Sequence, residues 1–176
     1  MPDEAAQRAP GKTGKAGDAW LRLAASLGVG LLPGPAGTYG SLLTWALAGA
    51  WLAGGGPALA GPWYGLALLA AAGLALAVSE AALRRRVFGP GHDPGQIVID
   101  EMAGQLVALY GVGSLGWDFV AGLLAFRLFD IAKPWPVNVS QGLPGGWGVV
   151  VDDLLAGLYA LGLVRLAVLC STWPGW

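Results

Sequence analysis

Residues 42–79 carry no charged side chain, so 38 consecutive positions offer only apolar and small neutral groups. A helix rises about 1.5 Å per residue and the hydrocarbon core of a bilayer is ~30 Å thick, so one crossing takes roughly 20 residues. Gly54, Gly55, Gly56 and Pro57 divide the stretch with a turn signal. The first half spans if it begins near Thr38. The second spans if it continues past Glu80 to Leu83, before Arg84, Arg85 and Arg86. The expected element is a transmembrane hairpin. Residues 154–173 form a third candidate, interrupted by Arg165, which can snorkel toward an interface beside Trp173 and Trp176. Residues 102–117 are uncharged but broken by Gly111, Gly113 and Gly116, and residues 119–126 are apolar but short. These predict two short helices in a hairpin, either re-entrant or packed against the spans.

The rest of the composition agrees. Charged residues make up 12% of the chain, about half the roughly 25% usual in soluble domains, and mean hydropathy is +0.59. Ten Lys and Arg against eleven Asp and Glu exclude a basic nucleic-acid binder. The single cysteine, Cys170, excludes a disulfide framework or a Cys-based zinc site within one chain. Residues 1–17, rich in Pro, Gly and Ala with scattered charges, read as a mobile tail without the pattern of a secretory signal. Residues 18–176 then form one membrane-embedded domain, with residues 20–27, including Arg22, as a short interfacial helix. The tail's basic residues and Arg84, Arg85 and Arg86 fall on one side of the hairpin, which should be cytoplasmic.

Four motifs gather at that side. Pro33-Gly34-Pro35-Ala36-Gly37-Thr38-Tyr39-Gly40-Ser41 precedes the first span. Backbone amides freed by glycine at a helix start make an anion site, and Thr38 and Ser41 add hydroxyls; the same residues also suit a simple N-cap. His92-Asp93-Pro94-Gly95-Gln96-Ile97-Val98-Ile99-Asp100-Glu101 ends in adjacent carboxylates that can cap a helix or bind a hard cation, with Gly104 allowing close approach. His92 is expected to be an ordinary loop histidine. Arg127, Asp130 and Lys133 are spaced i, i+3, i+6, so one helical face can present all three until Pro134. That is either a salt-bridge ladder or a functional cluster at a membrane boundary. Last, Val150-Val151-Asp152-Asp153 echoes Val98-Ile99-Asp100-Glu101, as a second paired-acid helix start followed by glycine. Several acids converging at ~4 Å repel one another unless a cation neutralises them, and a Mg²⁺-type ion suits oxygen ligands. A metal, an anion loop and an Arg/Lys pair are the parts of phosphoryl chemistry.

The motifs resemble the A-type phosphatidylglycerophosphatases. The similarity covers roughly residues 30–157 and rests on Gly37-Thr38-Tyr39-Gly40-Ser41, Asp93-Pro94 with Ile97-Val98, Asp100-Glu101 with Gly104, Phe126-Arg127 with Phe129-Asp130-Ile131, Lys133-Pro134-Trp135-Pro136, and Gly145-Gly146 with Gly148, Asp152-Asp153 and Ala156-Gly157. Ala36 departs from the pattern, standing where the family usually has proline. The resemblance implies an all-α membrane protein of the bacterial inner membrane. It also implies Mg²⁺-dependent removal of the terminal phosphate from phosphatidylglycerophosphate to give phosphatidylglycerol. On this basis Asp100, Glu101, Asp130, Asp152 and Asp153 are expected to act in catalysis and metal binding, with Lys133 catalytic. Gly37, Thr38, Gly40, Ser41, Arg127 and Lys133 are expected to bind the phosphate.

Other phosphatase chemistries lack their residues. No cysteine precedes an arginine-bearing phosphate loop, a lone histidine cannot serve as both nucleophile and acid, and no Asp-x-Asp opens a Rossmann-like unit. Metal-activated water and an aspartate nucleophile remain; water is preferred because no single Asp stands out as the attacking group. The alternative is a small cation-coupled transporter with an acidic site.

Overall fold

A backbone in hydrocarbon must satisfy its own hydrogen bonds, and the charge-free stretches do so as helices. The computed structural model describes residues 15–89 and 94–172; residues 1–14, His92, Asp93, Trp173 and Trp176 lie outside them. Among the described residues there are seven α-helices and a 3-10 turn (Val29–Leu31): α1 (Lys15–Ser26), α2 (Ala36–Ala53), α3 (Gly61–Arg85), α4 (Ile99–Ala108), α5 (Trp117–Ala132), α6 (Val137–Ser140) and α7 (Gly146–Ser171). The extended pairing among them is a single bridge, Leu59 to Val112.

α3, with 25 residues, and α7, with 26, are long and apolar enough to cross a membrane. Their leucines point outward: Leu66, Leu69 and Leu74 on α3, and Leu158, Leu166 and Leu169 on α7, are all more than half exposed. Such faces suit lipid rather than water. α2 has 18 residues and reaches about 27 Å, slightly less than the ~30 Å of the expected span. It starts at Ala36, so the residues expected to form a glycine-rich loop are its first two turns, and it stops before the glycine turn, where Gly55 takes a φ of 80°. The expected short hairpin is α4 and α5. α1 starts at Lys15 and so takes in residues 15–17 of the expected tail. It exposes Trp20, while Asp18 faces Arg85 of α3 at 3.8 Å.

α7 is the central helix, packed against α3, α4, α5 and α6. It begins at Gly146, eight residues before the expected span, so Asp152 and Asp153 sit in its second turn rather than at its start. The cause is Glu80 of α3. Its carboxylate accepts the Gly146 N–H at 2.6 Å and is held by Arg84 at 2.5 Å, which satisfies the first amide of α7. A side chain at Gly145 or Gly146 would run into Glu80.

α4 and α7 cross at two glycines. A Cβ on Gly157 would collide with the Gly104 carbonyl, and one on Gly104 would lie 2.5 Å from the Asp153 carbonyl. At the opposite end, the α2–α3 and α4–α5 loops are tied together. Leu59 N–H donates to Val112 O at 2.8 Å and Gly111 N–H to Leu59 O at 2.6 Å. Arg165 leans on this bend at Gly111 with Nε and Nη2 buried; the tryptophans expected beside it lie outside the described residues.

These contacts separate two kinds of glycine. Gly157→Val forces α4 and α7 apart and should cost about 2 kcal/mol or more, read as a lower unfolding midpoint in detergent. Gly73→Ala on α3, where no atom lies within 4 Å of the added carbon, should leave the midpoint unchanged or raise it.

Candidate active site

The helix directions place all the chemistry at one end. α2, α4 and α7 begin there, and α5 ends there. From α4 come Asp100 and Glu101, in its first turn, where carboxylates favour the helix dipole. From α7 come Asp152 and Asp153. From α5 come Arg127, Asp130 and Lys133, the last as the helix C-cap in a left-handed conformation (φ 42°) before Pro134. That conformation is costly for a residue other than glycine, and it swings Lys133 off the axis of α5 toward α7. α2 brings Gly37, Thr38, Gly40 and Ser41.

The five carboxylates divide into two groups. Asp130 and Asp152 are ion-paired. Asp130 receives Arg127 Nη1 at 2.6 Å and faces Lys133 Nζ at 3.8 Å, while Asp152 receives Lys133 Nζ at 2.5 Å and Gln141 Nε2 at 3.0 Å. Asp100, Glu101 and Asp153 form the second group, with oxygens all within 4.8 Å of one another. Thus the expected convergence of three distant motifs occurs, but the repeat pairs in a shifted register. Asp100 meets Asp153, not Asp152, because each stands four residues before a crossing glycine, Gly104 and Gly157.

Burial makes the trio costly. Asp100 and Asp153 are 4% and 3% exposed, and Glu101 Oε2 is buried with no hydrogen-bond partner among the described residues. Burial, then the charges of Glu101 and Asp153, push the Asp100 carboxyl well above the usual carboxylate range, and burial raises Glu101 as well. Three close oxygen donors, none in an ion pair with a Lys or Arg of the described residues and one of them an orphaned buried oxygen, fit a hard divalent ion. A soft metal would want sulfur or imidazole; Cys170 is exposed near the far end of α7.

Lys133 behaves oppositely. Burial works against its charge, but the Asp152 hydrogen bond and the carboxylates of Asp152, Asp130 and Asp153 raise it above the usual lysine value. It is therefore an ammonium at neutral pH, suited to hold an anion and not to accept a proton.

The α2 residues make a contact surface for the acids. The Glu101 carboxylate fills the space where a Gly37 Cβ would stand, and Gly40 presses on Val98. Ser41 Oγ donates to Gly37 O at 2.9 Å and accepts Arg127 Nη1 at 3.3 Å, so its hydroxyl braces Arg127. Thr38 is partly exposed. The amides that the helix leaves free are those of residues 36–38, because Tyr39 N–H already reaches Pro35 O at 3.2 Å.

Three residues were not singled out from sequence. Glu80 and Gln141 act through pairs 66 and 11 residues apart, which no local pattern marks. Gln105, fully buried with neither amide atom bonded among the described residues, could have been noticed as a polar side chain one turn after Glu101 inside an apolar run.

Comparison with known proteins gives the family. The family model for phosphatidylglycerophosphatase A matches residues 22–168. Phosphatidylglycerophosphatase A of Escherichia coli K12 is 32% identical over 165 residues, covering 91% of this chain and 88% of that protein. The Haemophilus influenzae phosphatidylglycerophosphatase A is 42% identical over 72 residues, 40% of this chain and 44% of its own length. A Bacteroides thetaiotaomicron protein provisionally named phosphatidylinositol-3-phosphatase is 40% identical over 80 residues, 44% of this chain and 50% of that protein. No solved structure matches. The matched span takes in every expected site residue, and the chain belongs to the phosphatidylglycerophosphatase A family.

Proposed function

We propose that the protein is a phosphoric monoester hydrolase that converts phosphatidylglycerophosphate to phosphatidylglycerol and phosphate. The observation that carries this reading is the trio Asp100, Glu101 and Asp153 facing the cations Arg127 and Lys133 at one end of an apolar bundle. The Escherichia coli and Haemophilus relatives, both named for this activity, support the choice of substrate.

In this reading Asp100, Glu101 and Asp153 hold Mg²⁺, which when bound supplies positive charge to offset the carboxylates and polarise the phosphate. Lys133 and Arg127 bind phosphate oxygens, and the free amides at Gly37 and Thr38 add neutral donors. Gly40 lets α2 approach α4, and Ser41 steadies Arg127. Asp130 aligns both cations, and Asp152 with Gln141 fixes Lys133, so the donors are organised before substrate arrives. Water attacks phosphorus as the bond to the glycerol oxygen breaks. The proton given up by the water passes by way of the carboxylates to the departing glycerol oxygen, so that the alcohol and phosphate leave and the site is restored. The site lies at the cytoplasmic boundary of the bacterial inner membrane, where a headgroup reaches it while the acyl chains stay in lipid. Arg84, Arg85 and Arg86 mark that side.

Phosphate release from phosphatidylglycerophosphate by purified protein is the direct test. Asp100→Asn should lower turnover at least ~100-fold with helix content unchanged, and near-normal turnover would remove Asp100 from the site. Lys133→Met should also cut turnover; unchanged kinetics would leave Lys133 as a structural counter-ion. Chelation should abolish release and added Mg²⁺ restore it, whereas cation flux without phosphate release would favour a transporter.

Topology is tested separately. In a Cys170→Ser background, a cysteine at the exposed Asn138 of α6 should resist an impermeant thiol reagent added outside sealed, right-side-out vesicles. Labelling from outside would overturn the cytoplasmic site.

A further inference from the structure

An apolar cavity of about 210 Å³ lies between α2 and α3, with α4 as its floor. Its lining begins beside the site residues. Thr44 stands one turn beyond Gly40 and Ser41 on α2, and Met102 directly follows Glu101 on α4. From there the lining runs through Ala48 and Leu106 to Trp51 and Trp63. The rise from Thr44 to Trp51 is about 10 Å, enough for a substantial part of a long acyl chain.

The lining asks for no polar ligand. Thr44 Oγ1 is turned back to Gly40 O at 3.0 Å, and the Tyr64 hydroxyl donates to Leu106 O at 2.8 Å. The far end is bordered by a pair of half-exposed rings that are held in place. Trp51 Nε1 donates to Pro57 O at 3.0 Å, Gly56 leaves room for the Trp51 ring, and the Trp63 ring is 5.9 Å away. Leu59 beside them is held by the loop tie to Val112.

We propose that this groove holds one acyl chain of the phosphomonoester lipid, with Trp51 and Trp63 as its end stop. The proposal rests on the lipid-phosphatase reading above and commits to the substrate's own chain because the groove begins at Thr44 and Met102, one turn from Gly40 and next to Glu101. A chain seated there holds the phosphate at the site, and the pinned rings make chain length matter.

The test compares phosphatidylglycerophosphates of increasing chain length with the deacylated headgroup, using full-length protein in detergent micelles. Ala67→Trp places a ring in the groove from the exposed side of α3. Excluding roughly two methylenes should lower kcat/KM for long-chain substrate about tenfold and leave the deacylated substrate unchanged. Trp51→Ala removes the stop and should move the best chain length upward, again without changing the deacylated rate. If both variants keep the wild-type chain-length profile, bulk lipid or detergent fills the groove and the proposal is wrong. If Ala67→Trp lowers both substrates equally, it has disturbed the fold, and Trp51→Ala then decides. The same chain-length effect from Gly162→Trp, in the apolar hollow between α5 and α7, in place of Ala67→Trp would seat the chain on that side and overturn the proposal. Absence of phosphate release from either substrate by the wild type would instead bring down the phosphatase reading itself.

Discussion

The backbone contact between α4 and α7 at Gly104 and Gly157 governs the rest of the structure. Only glycine lets the two helices approach so closely. Because both helices start at the same end, four residues back from each glycine stand Asp100 and Asp153, and the crossing presses these carboxylates together with Glu101. The energy of that arrangement is unfavourable by itself. Burial and like charge act in the same direction, and no Lys or Arg of the described residues makes an ion pair with the trio. A site that a fold must hold open against repulsion is a site prepared for a cation.

The remaining charges pair with one another beside the trio. Lys133, turned back by its left-handed backbone, binds Asp152 and stands near Asp130, and Arg127 binds Asp130. Two carboxylates are thereby neutralised, and two cations are held at the edge of the trio. Glu80 acts further out. By accepting the first amide of α7 it sets where that helix begins, and hence the turn on which Asp152 and Asp153 fall. The opposite end of the bundle is held by loop-to-loop backbone bonds and ring contacts.

Charge distribution and helix pattern made the broad plan readable from sequence. The long runs without Asp, Glu, Lys or Arg marked α3 and α7, since hydrocarbon admits few charges. Most acids and bases outside the tail marked one boundary as the expected reactive end. Helical spacing placed Arg127 and Asp130 on one face, and adjacent acids placed Asp100 and Glu101 in the first turn of α4. Local rules misled where a distant group intervened. Glu80 caps α7 six residues ahead of Asp152, so the second acid pair does not open its helix. The Gly37-Thr38-Tyr39-Gly40-Ser41 segment is helix and not loop: α2 already starts at Ala36, and Gly40 packs on Val98.

Sequence by itself determined that this chain builds an apolar helical bundle with phosphoryl-type chemistry gathered at one end. Those facts follow from composition, from charge position and from residue type at fixed spacing. Only the tertiary structure decided which carboxylates meet. Asp152 and Asp153 are neighbours of the same kind, and nothing local distinguishes them. Their positions on α7 differ by about 100° of helix rotation, which directs one toward Lys133 and the other into the acidic trio against α4.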